Sequence, residues 1–488
     1  MNLSAFRMPS AYTILFLLII LMIVGTWFIP AGMYDRNDDG QPIPGTYHHV
    51  DPHPQRLMLS FMAPVSGMYG IQGESGMISP YESGHLFGAI DVSLFVLVIG
   101  GFLGVTMKTG AIDAAIRSIT LRFRERERLL IPLLMIIFAI GGTTYGMAEE
   151  TLAFYILIIA IMIAAGYDAL TGVAVIMLGA GIGVLGSTVN PFATGIASGF
   201  AGISLGDGIL LRFSILVIAL FIGIMYVMRY AERVRRDPSA SLVYELREEN
   251  EKKFVGSIGN GEGEGGITRI QKIILLLFAL AFAIMIYSVM PWKDFGITAI
   301  PTLGWSFGEY TALFLFFAII IGICDRMKEM DIADNFVHGA ADLLGVALII
   351  ALARGITVVM NNGLITDTVL FWCNSALSGF SAVPFIDVMF LIYLPLSFLI
   401  PSSSGLAALT MPIMAPLGSL AGVEQSLIVT AYQSASGLVN LINPTFAVVM
   451  GGLAIGRVSY GTWLRFVGPL LIMFVVLIII LLSLGAIL

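Results

Sequence analysis

The sequence has little charge: only 12% of its 488 residues are Asp, Glu, Lys or Arg. Soluble domains carry roughly twice that fraction. The low charge therefore argues against a soluble protein, and we expect no nucleic-acid partner, because such a partner needs a basic surface.

Cysteine and cofactor-binding motifs are also nearly absent. Cys324 and Cys373 are the only cysteines, so the chain has no disulfide framework. It has no CxxC, HExxH or Walker signature, and its five histidines are scattered. We therefore expect no resident metal, no organic cofactor and no ATP-driven pump.

Apolar residues, in contrast, make up 58% of the chain, and the mean hydropathy is +0.93. A helix needs roughly 20 apolar residues to cross a membrane. The apolar runs predict an all-α polytopic membrane protein. They are 11–31, 89–108, 170–203, 209–229, 269–290, 307–324, 343–360, 426–456 and 464–487. The first run is too long for a signal peptide and is predicted to be a transmembrane helix.

Two further apolar segments, 129–165 and 384–421, are interrupted by small polar residues. We expect each to be too short for two full crossings and too broken for one, which favours a re-entrant hairpin. Irregular backbone at membrane depth has to be buried in protein or line a wet cavity. The runs 170–203 and 426–456 are also interrupted and predict discontinuous helices.

Lysine and arginine indicate the predicted cytoplasmic side of the membrane. The basic residues that follow or flank the predicted spans are Arg117, Arg122, Arg124, Arg126, Arg128, Arg229, Arg233, Arg235, Arg236, Arg326, Lys328, Arg457 and Arg465. The segments 31–88 and 361–383 have few. One topology satisfies this distribution: the N-terminus is inside, 31–88 is outside, the hairpins enter from opposite sides, and the C-terminus ends outside.

The two halves of the chain resemble each other at one offset. Asn190 corresponds to Asn443 (443 − 190 = 253), and Gly110 corresponds to Gly363 (363 − 110 = 253). Because the hairpins enter from opposite sides, we expect inverted repeats with a substrate site at their interface, as in secondary transporters. The predicted divisions are 1–88, a first helix and an external region; 89–230, repeat 1 with hairpin 129–165; 231–268, a charged and flexible cytoplasmic linker; 269–333, connecting helices; and 334–488, repeat 2 with hairpin 384–421.

The tip of the second hairpin reads PSSSGLAALTMP and places three hydroxyls, on Ser402, Ser403 and Ser404, next to Gly405. Hydroxyls and the free N–H groups at a helix start suit a substrate carboxylate. The alternative is that these serines only cap the second helix of the hairpin.

The tip of the first hairpin carries Glu149 and Glu150, and Thr143, Thr144 and Thr151 beside them are predicted to belong to the same substrate site. Carboxylates at membrane depth are costly and usually functional. Both glutamates are therefore predicted to contact a cationic group of the substrate or a proton. The alternative is an internal ion pair with Arg354 or Lys108.

Arg354 lies inside the otherwise apolar run ALIIALARGITVVM. A guanidinium can hold a substrate carboxylate through two parallel hydrogen bonds, or it can simply neutralise a glutamate. A ligand with charges of both signs, such as a diamino acid, suits a serine tip, paired glutamates and one arginine better than a dicarboxylate does.

Asn190, Asn440 and Asn443 lie at or just before the two helix breaks, and Asn190 and Asn443 each precede a proline. Proline frees a backbone carbonyl upstream. The asparagine amide can satisfy that carbonyl or bind a ligand; a purely structural kink is the alternative. Free carbonyls at both breaks also suggest Na⁺ near Asn190 and Asn443, while proton coupling and plain exchange stay open.

Several motifs resemble the YfcC family of basic amino-acid antiporters. They are GMAEETLAF, the NPF break, SSSGLAALTMPIMAPLG and GRVSYGTWLR, with PxGMYD near the start and VDPH at 50–53. That family is grouped with DcuC-like C4-dicarboxylate anaerobic carriers and arginine/ornithine antiporters in the ion transporter superfamily. The resemblance implies a scaffold domain, a mobile transport domain, elevator-type alternating access, a homodimer in the bacterial inner membrane, and a site at the hairpin tips.

The favoured interpretation is a secondary transporter of amino acids, above all basic ones, that works by exchange or ion-coupled flux. The alternative transporter carries a C4-dicarboxylate or a short-chain carboxylate, with Arg354 as the anion clamp. An intramembrane serine enzyme is disfavoured because no suitable base lies near Ser402–Ser404, and a channel because two sealed hairpins leave no continuous pore. The expected partners are a small-molecule substrate, the lipid bilayer and a second copy of the chain.

Overall fold

The computed structural model describes residues 11–36, 42–73, 76–112, 114, 115, 118, 127–204, 206–255, 267–289, 292, 299, 301–303, 305, 307–377 and 379–487. Four arginines that the predicted topology uses, Arg117, Arg122, Arg124 and Arg126, lie outside these residues.

The described chain is mostly helical, as its apolar runs predict. The helices are α1 (Ala11–Phe28), α2 (Leu59–Tyr69), α3 (Ile90–Lys108), α4 (Leu130–Tyr145), α5 (Tyr155–Ala164), α6 (Ala169–Gly186), α7 (Ile196–Ala201), α8 (Ile209–Arg236), α9 (Arg247–Val255), α10 (Arg269–Val289), α11 (Phe307–Cys324), α12 (Glu329–Asn362), α13 (Thr366–Leu377), α14 (Ala382–Leu399), α15 (Ser403–Leu420), α16 (Gln425–Val439), α17 (Ala447–Ile455) and α18 (Tyr460–Ile487). A 3₁₀ segment, Glu149–Phe154, precedes α5, and a π-helical turn, Pro191–Gly195, precedes α7.

Short strands occur only between α1 and α3 in the described part of the chain. β1 (Gly32–Met33) pairs antiparallel with β2 (His48–His49), and β3 (Ile71–Gln72) lies between β4 (Ile78–Ser79) and β5 (His85–Leu86). The Asn362 side chain bonds both the N–H and the carbonyl of Ile78, at 2.7 and 2.9 Å. This region is thereby fixed to the C-terminal end of α12.

Nine helices among the described residues are long and apolar enough to cross a membrane. They include both helices of the second hairpin, α14 and α15, because 18 residues of helix span about 27 Å. The expectation that 384–421 is too short for two crossings is therefore wrong on length. Re-entrance of this hairpin stays a prediction.

The base of the first hairpin, away from its tip, lies at the C-terminal end of α8. Arg235 of that helix pairs with Glu127, just before α4, at 3.2 Å. The hydroxyl of Tyr230 donates to Asp168, which caps the start of α6, at 2.6 Å. The base of α4 and the start of α6 therefore lie at this end of the bundle.

The base of the second hairpin lies at the opposite end of α8. An added Cβ on Gly485, near the end of α18, would lie 3.3 Å from Leu211 in the first turn of α8. Close by, Ser483 donates to Asp387 at the start of α14 at 2.9 Å. Because α8 has 28 residues, its two ends lie about 42 Å apart. The two hairpins thus enter the bundle from opposite ends.

The two discontinuous helices form the centre of the bundle. Every residue of α6 except Gly181 is buried, and α16 is buried from Leu427 onward. The two helices touch closely, since a Cβ on Gly437 would lie 2.4 Å from the Cα of Leu185. Both helices end at their breaks, which places the two breaks side by side.

Much of the predicted linker is docked on the bundle. The helix α8 continues to Arg236, and the segment after it folds back through two short turns into α9. There Phe254 is buried, and Arg457 bonds Glu249 and Asn250. The glycine-rich part, 256–266, lies outside the described residues.

Candidate functional site

A cavity of about 460 Å³ lies where the two hairpin tips meet the two helix breaks. Its walls come from the loop before α3, the tip between α4 and α5, the middle of α12, the tip between α14 and α15, and the breaks after α6 and α16. Of the thirteen residues predicted for the site, nine line this cavity. They are Glu149, Glu150, Thr151, Asn190, Arg354, Ser402, Ser403, Ser404 and Asn440.

Arg354 reaches the cavity from α12 and is held in place by Phe87. Its Nε donates to the carbonyl of Phe87 at 3.1 Å, and its guanidinium lies 4.3 Å from the centroid of the same ring. A guanidinium has five N–H groups, and within the described residues only Nε has a hydrogen-bond partner. The remaining fork can bind a carboxylate from the cavity.

The two glutamates of the first tip have different surroundings. Glu150 is buried, and its Oε2 accepts the N–H of Ala148 at 3.0 Å. Glu149 is half-buried and has no hydrogen-bonded side-chain partner within the described residues. Glu150 therefore braces the tip, while the Glu149 carboxylate is available to a ligand.

The internal ion pair, which was the alternative to a substrate-binding role, is not formed as a direct contact. In the part of the chain that the structure describes, no pair within 4.0 Å joins Arg354 to Glu149, Glu150 or Lys108. Arg354 instead interacts with Glu149 and Asp91 at longer range. The opposite charges are held apart with the cavity between them.

The serine tip both caps a helix and lines the cavity. Ser402 is the N-cap of α15, because its Oγ accepts the N–H of Gly405 at 3.2 Å. The carbonyl of Ser403 accepts the hydroxyl of Tyr432 on α16. Ser403 and Ser404 form the first turn of α15, where unpaired N–H groups carry partial positive charge. This end of the cavity therefore favours an anionic group.

The second break also presents a polar side chain to the cavity. Asn440, at the C-terminal end of α16, has a buried Oδ1 with no hydrogen-bond partner among the described residues. A buried acceptor without a donor is costly. A donor group on a bound ligand would satisfy it.

The first break is closed more tightly. The Oδ1 of Asn190 accepts the N–H of Ala193 at 3.3 Å, and Thr151 donates to the carbonyl of Ala148 at 2.5 Å. Gly146 has φ +77°, and a Cβ there would lie 2.6 Å from the Asn190 amide. Only glycine fits this turn, because any larger residue would clash with Asn190. The first tip therefore packs directly against the first break.

Three of the other four predicted site residues lie behind the cavity wall. Thr143 is buried, and its Oγ1 accepts the N–H of Thr188 at 2.9 Å. Thr144 donates to the carbonyl of Ile140 one turn earlier, at 2.6 Å. Gly405 lies inside the first turn of α15. These residues shape the tips.

Asn443 is fully buried and ties the second tip to the second break. Its Nδ2 donates to the carbonyls of Ser397 and Phe398, both at 3.1 Å. Its Oδ1 accepts from the N–H and the hydroxyl of Thr445, at 3.0 and 2.8 Å. This bonding matches the structural alternative given for the residue above.

Sequence reasoning missed Asp91 and Phe87. Asp91 lies in the first turn of α3 and lines the cavity, and Phe87 orients Arg354. An acidic residue in a first turn ordinarily complements the helix dipole, so Asp91 gave no distinct signal. Arg354 and Phe87 are 267 residues apart in the chain, and no local pattern connects them.

The titratable side chains that line the cavity are mostly acidic. Its lining holds three carboxylates, on Asp91, Glu149 and Glu150, and one guanidinium, on Arg354, which gives a formal charge of 1 − 3 = −2. The cation lies in the middle of α12, and the two glutamates lie on the first tip. A ligand that complements this lining carries one anionic group and more than one cationic group.

A polytopic helical bundle that encloses a polar cavity between two hairpin tips defines a membrane transporter. Residues 8–486 match the family model of the C4-dicarboxylate anaerobic carriers, DcuC, and the chain belongs to that family. Members of this family are carriers and not enzymes.

Two relatives match nearly the whole chain. YfcC of Escherichia coli (strain K12), named provisionally as a basic amino acid antiporter, is 33% identical over 94% of this chain and 92% of its own. An uncharacterised protein of Haemophilus influenzae is 32% identical over 96% of this chain and 95% of its own. Among solved structures, MtrF of Neisseria gonorrhoeae, from a class of antimetabolite efflux pumps, aligns over 98% and 95% of the two chains with 16% identity and a TM-score of 0.43.

Proposed function

We propose that this protein is a secondary active transporter of basic amino acids. The observation that carries the proposal is the charge pattern of the cavity, in which one guanidinium faces three carboxylates. A basic amino acid carries one carboxylate and two cationic groups. Because Glu150 is bonded to the first tip, the groups left for the ligand are Arg354, Glu149 and Asp91, which match such a substrate in sign and number.

Each charged group of such a substrate has a partner in the cavity. The carboxylate binds the free N–H groups of Arg354 and lies near the start of α15, where the helix dipole adds to the attraction. The cationic groups bind Glu149 and Asp91, and the buried acceptor of Asn440 takes a further N–H. Glu150 holds the first tip in the geometry that this binding needs.

The YfcC relative supports the same substrate class. Its provisional name assigns it basic amino acids as substrates and antiport as its mode of transport. We accordingly favour exchange of one basic amino acid for another over uptake of a single substrate.

A C4-dicarboxylate is the second candidate substrate, because the family model is described by that substrate class. Arg354 and the start of α15 would hold one of its carboxylates. The other would face Glu149, Glu150 and Asp91, so at least two of these side chains would have to be protonated. We therefore rank this substrate second.

We further propose inverted repeats and elevator-type alternating access. The two hairpins open at opposite ends of α8, which suits inverted repeats. Residues with a left-handed backbone conformation also follow corresponding helices in the two repeats. The pairs are Gly110 and Leu364 (364 − 110 = 254), and Gly166 and Gly422 (422 − 166 = 256). These offsets lie close to the 253 of the sequence repeat.

The mobile body in this proposal consists of the two hairpins and the discontinuous helices. The scaffold consists of α3, α11 and α12 with their neighbours. The cavity lies between the two bodies, since Arg354 and Asp91 belong to the scaffold and Glu149 and Ser403 to the mobile body. A homodimer, and residence in a bacterial inner membrane, belong to the same proposal.

Counterflow in proteoliposomes tests the substrate class. Liposomes loaded with unlabelled arginine should accumulate external labelled ornithine faster than empty or succinate-loaded liposomes do. Uptake of labelled succinate into succinate-loaded liposomes, with no exchange of ornithine, would reject the proposal in favour of the dicarboxylate.

A further inference from the structure

Arg212 is a buried cation outside the cavity, and the substrate-binding roles above leave it unassigned. It lies in the first turn of α8, and 1% of the residue is exposed. Its guanidinium donates to the carbonyl of Asp207 at 2.8 Å and to the carbonyl of Thr188 at 3.3 Å. Because Thr188 belongs to the break after α6, the side chain reaches from one helix into the broken end of another.

The end of α6 is a place where positive charge is favourable. The last carbonyls of a helix lack intrahelical donors and carry the negative end of the dipole. In transporters with discontinuous helices, such ends and unwound carbonyls coordinate Na⁺ or take part in proton coupling. Here a guanidinium supplies the positive charge.

Other carbonyls of the first break also have donors. The carbonyl of Ser187 accepts the hydroxyl of Thr194 at 3.0 Å, and the carbonyl of Asn190 accepts the N–H of Gly195 at 2.9 Å. Thr188 itself donates its N–H to the hydroxyl of Thr143 in the first tip at 2.9 Å, and the two hydroxyls lie 3.0 Å apart. Arg212 thus belongs to a hydrogen-bond network that joins α8, the first break and the first tip.

The second break is closed by neutral donors. Trp463 Nε1 donates to the carbonyl of Leu441 at 2.8 Å, and Tyr460 donates to the carbonyl of Ile442 at 2.7 Å. Leu441 is the repeat counterpart of Thr188 (441 − 188 = 253). The same carbonyl position is therefore satisfied in both repeats, by a cation in one and by an indole in the other.

The repeat supplies a matched comparison for Arg212. Both repeats contain Leu-Arg-Phe at the corresponding place, and the counterpart of Arg212 is Arg465 (465 − 212 = 253). Arg465 is exposed, whereas Arg212 is buried. In the first repeat, the arginine of this motif is buried and bonds a carbonyl of the helix break. In the second repeat, the corresponding arginine is exposed.

We infer that Arg212 is the resident cation of the first helix break and occupies the role that a coordinated sodium ion would have there. Transport is then not coupled to Na⁺ at this break. Because the carbonyls of Leu441 and Ile442 at the second break also have donors, exchange or a proton on the glutamate tip is left to drive transport. This replaces the sequence-based expectation of Na⁺ near Asn190. Arg212 is a positioning residue, since it acts on the substrate through the break and the tip.

The test compares sodium with choline for the wild type and for Arg212→Ser. Wild-type melting temperature and uptake should be the same in both salts. In choline, Arg212→Ser should lose uptake by roughly tenfold or more, the scale of one charged hydrogen bond. Sodium should restore most of that loss and raise the variant's melting temperature, because the vacated site can then hold the ion. A purely structural role would give no sodium-specific rescue.

Two further variants complete the test. Arg465→Ser should behave as the wild type in both salts, and Arg212→Lys should keep sodium-independent uptake because it keeps the charge. A wild type that needs sodium, or that sodium specifically stabilises, overturns the inference. So does an Arg212→Ser variant that is equally impaired in both salts. If Arg212→Ser does not fold, the sodium dependence of the wild type and of Arg212→Lys tests the inference instead.

The inference depends on the proposed function only for the uptake measurements. The melting temperatures need no substrate, so they test Arg212 even if the carried substrate is not a basic amino acid.

Discussion

Glu149 and Glu150 are neighbours in the chain, but their carboxylates have different environments. Glu150 turns back to the N–H of Ala148, whereas Glu149 is left facing the cavity. The distinction arises from the irregular backbone of the tip, since Ala148 has φ −137° and ψ −86°. One acid therefore braces the tip, and we propose that the other contacts the ligand.

This difference predicts separable effects of substitution. Glu149→Gln should weaken binding of a basic amino acid by roughly tenfold or more, because it removes one charged hydrogen bond. Its melting temperature without ligand should stay that of the wild type. Glu150→Ala should instead lower the ligand-free melting temperature, because it leaves the partly buried N–H of Ala148 without this acceptor.

Thermal unfolding with and without ornithine measures both effects. Equal ligand-induced shifts in the wild type and in Glu149→Gln would remove Glu149 from the site. A ligand-free melting temperature that Glu150→Ala leaves unchanged would show that the bond to Ala148 contributes nothing.

At the scale of residues, the sequence indicated the functional candidates that are charged residues within otherwise apolar runs. Arg354 and the glutamates were identifiable for that reason. Asp91 was not, because an acid at a helix start is ordinary. Asn443 was predicted as a ligand, but it bonds Ser397 and Phe398, and no feature of the sequence distinguishes those two uses of an amide.

At the scale of elements, close backbone contact joins the helices α3 and α12. A Cβ on Gly339 would lie 2.2 Å from the carbonyl of Gly100 and 2.9 Å from the Cα of Gly104. These neighbours are backbone atoms and cannot move aside as a flexible side chain could. The two helices can approach this closely only because glycine has no side chain.

Gly339→Ala should therefore separate α3 from α12 and destabilise the protein by about 1–3 kcal/mol, the usual cost of overpacking. The matched control is Gly468→Ala in α18, where an added Cβ has no neighbour within 4 Å. That control should be neutral or stabilising by about 0.5–1 kcal/mol, because alanine is the better helix former. If the two variants have equal melting temperatures, the close contact does not limit stability.

Helix positions followed well from the sequence, because apolar runs and prolines set them locally. The breaks at the two Asn-Pro pairs and the start of α15 after Ser402 are examples. The docking of α9 was not foreseen. Its sequence is charged and reads as a linker, and its buried Phe254 is held by residues distant in the chain.

At the scale of the whole molecule, the proposed division into a scaffold and a mobile body gives a proposed route for alternating access. The cavity is lined by the loop before α3 and by the start of α11, which the predicted topology places outside. A movement of the hairpins along α3 and α12 would carry the site toward the other side.

Alternating access predicts that the second tip is reachable from both sides of the membrane. Cys324 and Cys373 are both unpaired, so a background with serine at these positions can be made without breaking a disulfide. In that background, Ser403→Cys should react with an impermeant thiol reagent from either side. Saturating substrate should change the ratio of the two rates. Labelling from one side only, with and without substrate, would contradict the proposed movement.

The packing of the two halves, and hence the cavity itself, could not be derived from the sequence alone. The repeat offset and the charge asymmetry of the loops indicated which segments should meet. They did not indicate that Arg354 would be turned by Phe87 or that Asp91 would face the glutamate tip. Arg354 and Phe87 are 267 residues apart, and Asp91 and Glu149 lie on different elements, so both arrangements depend on tertiary packing.

The central claim is that the cavity selects a ligand by one anionic and two cationic groups. The most direct measurement is the thermal shift of the purified protein with ornithine and with analogues that each lack one charged group. These are putrescine without the carboxylate, 5-aminovalerate without the α-amino group, and norvaline without the side-chain amine. A ligand that binds the folded state raises the melting temperature by mass action. We predict the largest shift with ornithine, a smaller shift with every analogue, and none with succinate. A succinate shift that equals or exceeds that of ornithine would contradict the account.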